Sequence, residues 1–274
     1  MKQLAGWFDF YLNSSIHVAL AVCALVVITL LEFGIELSWS LLFFTFFGTV
    51  TGYNFVKYSK IAGLHHHSLT DMLKTIQVFS FFSFLLLVFF ATRLSLATLG
   101  MVTIFGSLTF FYAVPLLHNK NLRTLEGMKI FVVAMVWAGV TVLVPIVEAE
   151  LPLGSRAWIT FVQRFLIVIV LTIPFEIRDL KYDQLELKTL PQLLGLKGVK
   201  ILGLAFVLLI MLLEPFKGPS ADNKSWVLGV VCLLLIGGLF GADKIRSKYF
   251  ASLWVEGIPI LWLGLAILFA NFAN

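Results

Sequence analysis

Long apolar runs dominate what this chain can fold into. Nine of them, roughly 14–33, 39–57, 73–92, 94–114, 126–147, 157–178, 197–215, 225–243 and 251–272, approach the ~20 residues a helix needs to cross a bilayer. They are too long and too uniformly apolar for the two-residue alternation of a membrane barrel. The reading is an all-α polytopic membrane protein, a bundle of about nine transmembrane helices forming a single domain over 1–274. The first run outlasts the apolar core of a signal peptide, and no small-residue cleavage site follows it before Glu32 and Glu36, so a retained span is expected. Cys23 and Cys232 both fall inside apolar runs, where a disulfide is not expected.

Charge is scarce and unevenly placed. Only 13% of residues are charged, against about a quarter in soluble domains, and the excess of Lys and Arg gives +5. With the N-terminus in the cytoplasm and loops assigned alternately, fifteen of the twenty Lys and Arg fall on the cytoplasmic side. Arg93, Arg156, Lys217 and Lys224 fall outside, and Arg164 sits within a span. That asymmetry follows the positive-inside rule. It accounts for the basic excess without a nucleic-acid partner. The expected location is a cytoplasmic or inner membrane, with the active face cytoplasmic, where the two longest connections, about 58–72 and 179–196, lie.

The richest segment follows the sixth run. Glu176, Asp179, Asp183 and Glu186 stand at i, i+3, i+7 and i+10, which on a helix gathers them within about a quarter of the circumference. Clustered carboxylates at a membrane interface repel one another unless a cation joins them, and their oxygens suit Mg²⁺. Arg178, Lys181 and Lys188 are placed to hold a diphosphate. By spacing alone, the segment reads equally well as a solvated helix end of mixed charge.

The sequence from Ile177 through Arg178, Asp179, Leu180, Lys181 and Tyr182 to Asp183, then Lys188, Thr189, Leu190, Pro191, Leu194 and Gly195, resembles the second aspartate motif of the UbiA superfamily of intramembrane prenyltransferases. Tyr112 to Pro115 with Leu122, Arg123 and Lys129 is similar to that family's fourth-to-fifth span connection. Trp254 to Gly257 resembles an acidic-Gly element of its last span, and Tyr53-Asn54 the start of its first aspartate motif. The resemblance implies a bundle around a central cavity that binds Mg²⁺ and a prenyl diphosphate at its cytoplasmic mouth. It implies prenyl transfer to an aromatic or lipid acceptor. Asp179 and Asp183 then become the catalytic metal ligands, and Asn54, Lys57, Arg123, Arg178 and Lys181 the diphosphate contacts.

The first motif departs from the family's pattern. Tyr58 and Ala62 occupy the positions of its two aspartates, and Lys57, Lys60 and His65 to His67 fill the region. Two readings follow. Either a lysine replaces one metal as the diphosphate's counter-charge, or catalysis has been lost and the bundle is a non-catalytic prenyl-lipid-binding or assembly protein. A transporter lacks support, because no pair of Gly/Pro-interrupted spans carries buried charges in corresponding halves. The three histidines point about 100° apart on a helix and read as a solvent-facing loop rather than a metal site.

Within the spans, Arg164 is expected to snorkel to the outer interface, and Glu32 and Glu214 to be solvated there. Glu256 reads either as interfacial or as cavity-lining. Asn54 reads either as an interhelical hydrogen-bonding residue or as a diphosphate contact. The phenylalanines of 43–55, 79–90 and 105–111 suit an isoprenoid channel but equally suit lipid, and Pro174 is placed to bend the sixth span.

Overall fold

The computed structural model describes residues 2–58, 70–114, 127–180, 189–218, 225–245, 247 and 249–270. Among them there is no strand. The helices are α1 Lys2–Asn13, α2 Ile16–Phe33, α3 Trp39–Tyr58, α4 Asp71–Ala91, α5 Leu96–Ala113, α6 Met128–Ala138, α7 Val144–Glu148, α8 Ser155–Asp179, α9 Leu190–Leu213, α10 Ser225–Gly241 and α11 Ile258–Ala270. Single π turns at Gly139–Leu143 and Phe250–Val255 lead into α7 and towards α11.

Seven helical segments of the described residues are long and apolar enough to cross a membrane. The other two of the nine runs form α3 and α10. The apolar stretch of α10, Trp226–Gly241, is shorter. Helix α3 is more polar because Thr45, Thr49, Thr51 and Tyr53 face an internal cavity rather than lipid. Helix α1 was not expected: it precedes the first apolar run and is too short to span, and it packs on α2 and α4.

Local signals set the ends. Thr70 and Ser95 cap α4 and α5, accepting from Leu73 N at 3.4 Å and Thr98 N at 3.1 Å. Gly34, at φ 66°, closes α2 in the left-handed conformation. Gln192 reaches back to accept from Thr189 N at 2.9 Å, with Pro191 in the first turn of α9. Pro145 has no N–H to return to the preceding turn, and the π turn stands just before it. Helix α8 runs unbroken through the buried Pro174.

Helices α2 and α8 and the segment Met128–Glu148 form the centre, with 61%, 61% and 67% of their apolar windows buried, against 11% for α4 and 17% for α5. The main apolar cluster joins Val18, Val22 and Leu25 of α2 to Ile167, Ile169 and Ile173 of α8 and to the inner faces of α6, α9, α10 and α11.

At the end of the bundle away from Lys57, the structure corrects two expectations. Arg164 does not snorkel. It is 1% exposed, donates to Leu25 O at 2.9 Å and Thr29 Oγ1 at 3.4 Å, and lies over the Trp262 ring at 5.0 Å. Glu214 is buried rather than solvated: it accepts from Gln163 Nε2 at 2.8 Å and pairs with Lys217 at 3.1 Å, and Lys217 reaches Glu32 at 3.7 Å. Partners inside the protein replace water, so these groups stay within the bundle.

Candidate functional site

Successive antiparallel helices bring the C-terminal ends of α3, α5 and α8 to the same end of the bundle as the N-terminal ends of α2, α4 and α6. A cavity of about 1120 Å³ opens between α2, α3, α5, α6 and α8, with α1, α4 and the Phe250–Val255 turn completing its wall.

The cavity is amphipathic. Its charged end carries Lys57, from the last turn of α3, Arg178 and Asp179, from the last turn of α8, and Lys129, from the first turn of α6. Asp9 of α1, Glu176 and Glu256 also line it. Further along, the walls are apolar and aromatic: Phe44, Phe84, Leu87, Val102, Phe105, Trp137 and Val140. Phenylalanines from α3, α4 and α5 thus line the cavity, while Phe81, Phe82 and Phe89 face outward at 50% exposure or more. The aromatics divide between a cavity wall and the outer face of the bundle.

The charged side chains are held in part. Lys57 Nζ donates to Ser15 Oγ at 3.0 Å, and Ser15 sits at φ 65° in the junction between α1 and α2. Arg178 makes a two-pronged contact with its neighbour Asp179, at 2.7 and 3.0 Å, and lies 5.1 Å over the Phe175 ring. Glu176 accepts from Leu190 N at 3.3 Å, tying the end of α8 to the start of α9. Asp9 accepts from the Tyr249 hydroxyl at 3.0 Å, joining α1 to the segment before the last span. Trp137 Nε1 donates to the Tyr53 hydroxyl at 2.7 Å, which leaves that hydroxyl its own proton to donate.

The structure therefore brings Lys57, Arg178 and Asp179 to one cavity. Asn54 is placed differently: it is 3% exposed and not among the lining residues. Its Nδ2 donates to Ser14 O at 3.0 Å and Ser80 Oγ at 2.8 Å, and its Oδ1 accepts from Ser15 Oγ at 2.8 Å. The interhelical reading describes what it does here. Arg123, Lys181 and Asp183 lie outside the described residues, as do Lys60, His65, His66 and His67. Glu256 lines the cavity, the second of its two readings. Asp9 and Ser15 escaped the sequence reading, because nothing in the spacing of α1 announces that it folds against the cavity.

Oxygen donors of the kind Mg²⁺ takes are present, but among the described residues no three ligating side chains converge. Asp179 supplies one carboxylate, and both its oxygens accept from Arg178. Among the described residues, the positive charge an anion would meet here comes from Lys57, Lys129 and Arg178.

No protein-family model matches the chain, and no curated protein does. Solved structures do. A UbiA homologue from Aeropyrum pernix K1 superposes with a TM-score of 0.65 at 16% identity, over 93% of this chain and 98% of that one. A UbiA homologue from Archaeoglobus fulgidus, bound to Cd²⁺, gives 0.61 at 10% identity, over 92% and 97%. A structure from work on digeranylgeranylglyceryl phosphate synthase gives 0.55 at 17% identity, over 98% and 97%. The chain has the fold of the UbiA homologues over more than nine-tenths of its length, as the motif resemblance implied.

Proposed function

We propose that this chain, built on the UbiA fold, is an intramembrane prenyltransferase that moves an isoprenyl group from a prenyl diphosphate to a hydrophobic aromatic or lipid acceptor. The observation that carries the reading is the division of the cavity. Cations from α3, α6 and α8 gather at one end, and an aromatic-walled space follows, in a cavity of about 1120 Å³. A polar, doubly charged head and a long apolar tail is the ligand chemistry such a division recognises.

The roles follow from charge and shelter. Lys57 acts as a point charge on the diphosphate, and Arg178 offers a planar fork to its oxygens. Lys129 and Arg123 add positive charge as it departs. Lys181 is proposed as a further contact. Asn54 acts through Ser15, fixing the hydroxyl that Lys57 uses. Phe44, Phe84, Phe105 and Trp137 keep water from the electron-poor prenyl carbon, and their faces favour positive charge. Mg²⁺ on Asp179 and Asp183 is part of the proposal and would neutralise the diphosphate. The lipid bilayer supplies both the tail's solvent and the acceptor, and the charged end is proposed to face the cytoplasm with the N-terminus.

The test is turnover. Purified protein in lipid nanodiscs is given a labelled prenyl diphosphate, Mg²⁺ and membrane-lipid acceptors. Diphosphate release or transfer, lost in Asp179→Asn, is the expected result. Binding of several chain lengths without turnover, insensitive to Mg²⁺, would replace the enzyme with a prenyl-lipid-binding protein.

A further inference from the structure

Among the described carboxylates that line the cavity, Glu256 is the one that accepts no hydrogen bond from the protein, and the proposed roles leave it unused. It follows directly on the π turn Phe250–Val255, whose wide hydrogen bond runs from Glu256 N to Ala251 O at 3.0 Å. Such turns re-aim the side chains that follow them and recur at functional sites. The turn is fixed from outside: His17 Nε2 donates to Leu253 O at 3.0 Å, and the Tyr11 hydroxyl donates to His17 Nδ1 at 2.7 Å. Leu253 O is an acceptor only, so it assigns the proton to Nε2 and leaves Nδ1 to accept. Gly257 completes the fit, since a Cβ there would stand 2.6 Å from Leu253 O.

The result is a carboxylate presented to the cavity with no hydrogen bond or ion pair to any described residue. By contrast, Asp9, Glu176 and Asp179 each accept hydrogen bonds from the protein. Lys57 and Arg178 are near enough for their charges to act on Glu256. A carboxylate so placed shares the charged end of the cavity with Lys57 and Arg178 and keeps its lone pairs for a ligand.

We infer that Glu256 is the proton acceptor for the attacking group of the prenyl acceptor. The inference rests on the prenyl-transfer reading. With an alcohol or phenol as the acceptor tested, its oxygen forms a bond to the terminal prenyl carbon, and the bond from that carbon to the diphosphate oxygen breaks, its electron pair leaving with the diphosphate. The hydroxyl proton passes to the Glu256 carboxylate and later to water.

The experiment compares wild type, Glu256→Gln and Glu256→Asp in nanodiscs with a labelled prenyl diphosphate and a long-chain alcohol or phenol. Three quantities are read: binding of the prenyl diphosphate, its hydrolysis to prenol, and transfer. In Glu256→Gln, binding of the prenyl diphosphate stays near wild type, while transfer and hydrolysis, which both need a proton taken from the attacking oxygen, fall by about 100-fold or more. Glu256→Asp recovers part of the transfer and covers the case in which the glutamine variant does not fold. Transfer by Glu256→Gln at the wild-type rate overturns the inference. So does a loss of prenyl diphosphate binding as large as the loss of transfer, which marks a part in holding the diphosphate instead. If the wild type neither releases diphosphate nor transfers, the prenyl-transfer reading itself has failed, a result separate from any effect of the variants.

Discussion

Lys57 Nζ donates to Ser15 Oγ at 3.0 Å, and the same hydroxyl donates to Asn54 Oδ1 at 2.8 Å. One serine at the α1–α2 junction therefore holds the cavity's lysine in place while occupying the asparagine beside it. A charge-assisted bond to a diphosphate is worth about 1.5–3 kcal/mol, so Lys57→Met is expected to weaken prenyl diphosphate binding by roughly 10- to 100-fold. The unfolding midpoint changes little, because Ser15 keeps its bond to Asn54. Equilibrium binding with a fluorescent prenyl diphosphate analogue, beside thermal unfolding in detergent, separates the two effects.

Asn54→Leu is expected to do the opposite. Asn54 joins three helical segments through Ser14 O, Ser15 Oγ and Ser80 Oγ. A leucine of similar size leaves those groups without their partner, at a cost of about 1–3 kcal/mol. The expected outcome is a lower unfolding midpoint with ligand affinity changed less than in Lys57→Met. An affinity loss as large as that of Lys57→Met, at unchanged stability, would return Asn54 to the diphosphate.

How far the sequence discloses this molecule depends on the distance over which its forces act. Membrane burial acts along a continuous run, so the spans from Ile16–Phe33 to the last are visible as apolar stretches. Lys57, Arg178 and Asp179 stand at span ends, and the alternation of spans alone puts those ends on one side. Gln163 finds Glu214, and Arg164 finds Leu25 O, across 51 and 139 positions of chain. No local spacing encodes such partners, and snorkelling and solvation were the expectations that failed there. The π turns are equally hidden, since they arise where the packed bundle takes up an extra residue. Helix α1 carries too short an apolar face to register as a span, although it supplies Asp9, Leu12 and Asn13 to the cavity.

The far polar cluster offers a test of buried charge. Lys217 lies between Glu214 at 3.1 Å and Glu32 at 3.7 Å. Lys217→Met removes the cation and leaves two carboxylates facing each other at the edge of the bundle. Removing one partner from a buried pair costs about 3 kcal/mol. The expected result is a markedly lower unfolding midpoint, partly recovered in the double variant Lys217→Met with Glu214→Gln, where the charge left unpaired is also removed.

The Phe105 ring lies against the backbone of Gly139, where an added Cβ would collide with the ring at Phe105 Cζ. Gly139→Ala must therefore drive that ring off its seat, and the cavity is the open space beside it. Overpacking of this kind costs about 1–3 kcal/mol. It also narrows the apolar part of the cavity while leaving Lys57 and Arg178 untouched. Long prenyl diphosphates are expected to lose more affinity than short ones, measured as a change in the ratio of their dissociation constants. An equal loss across chain lengths would show that the ring moves elsewhere.

Arg178 and Asp179 supply the last prediction. Their two contacts, at 2.7 and 3.0 Å, occupy both carboxylate oxygens, and each side chain keeps about a third of its surface open. An exposed pair of this kind holds by about 0–1 kcal/mol, so a diphosphate can draw the guanidinium away at small cost. The carboxylate released by that exchange is the one proposed to take Mg²⁺ with Asp183. Chelation with EDTA is accordingly expected to lower turnover by about 100-fold or more, with full recovery on added Mg²⁺. In Asp179→Asn, Arg178 is free before any ligand arrives, so prenyl diphosphate binding without metal should be equal to or tighter than in wild type. Turnover in that variant should stay low whatever Mg²⁺ is added. If chelation leaves turnover unchanged, the lysines and arginines alone carry the leaving diphosphate, and Asp179 serves only to hold Arg178 in reserve.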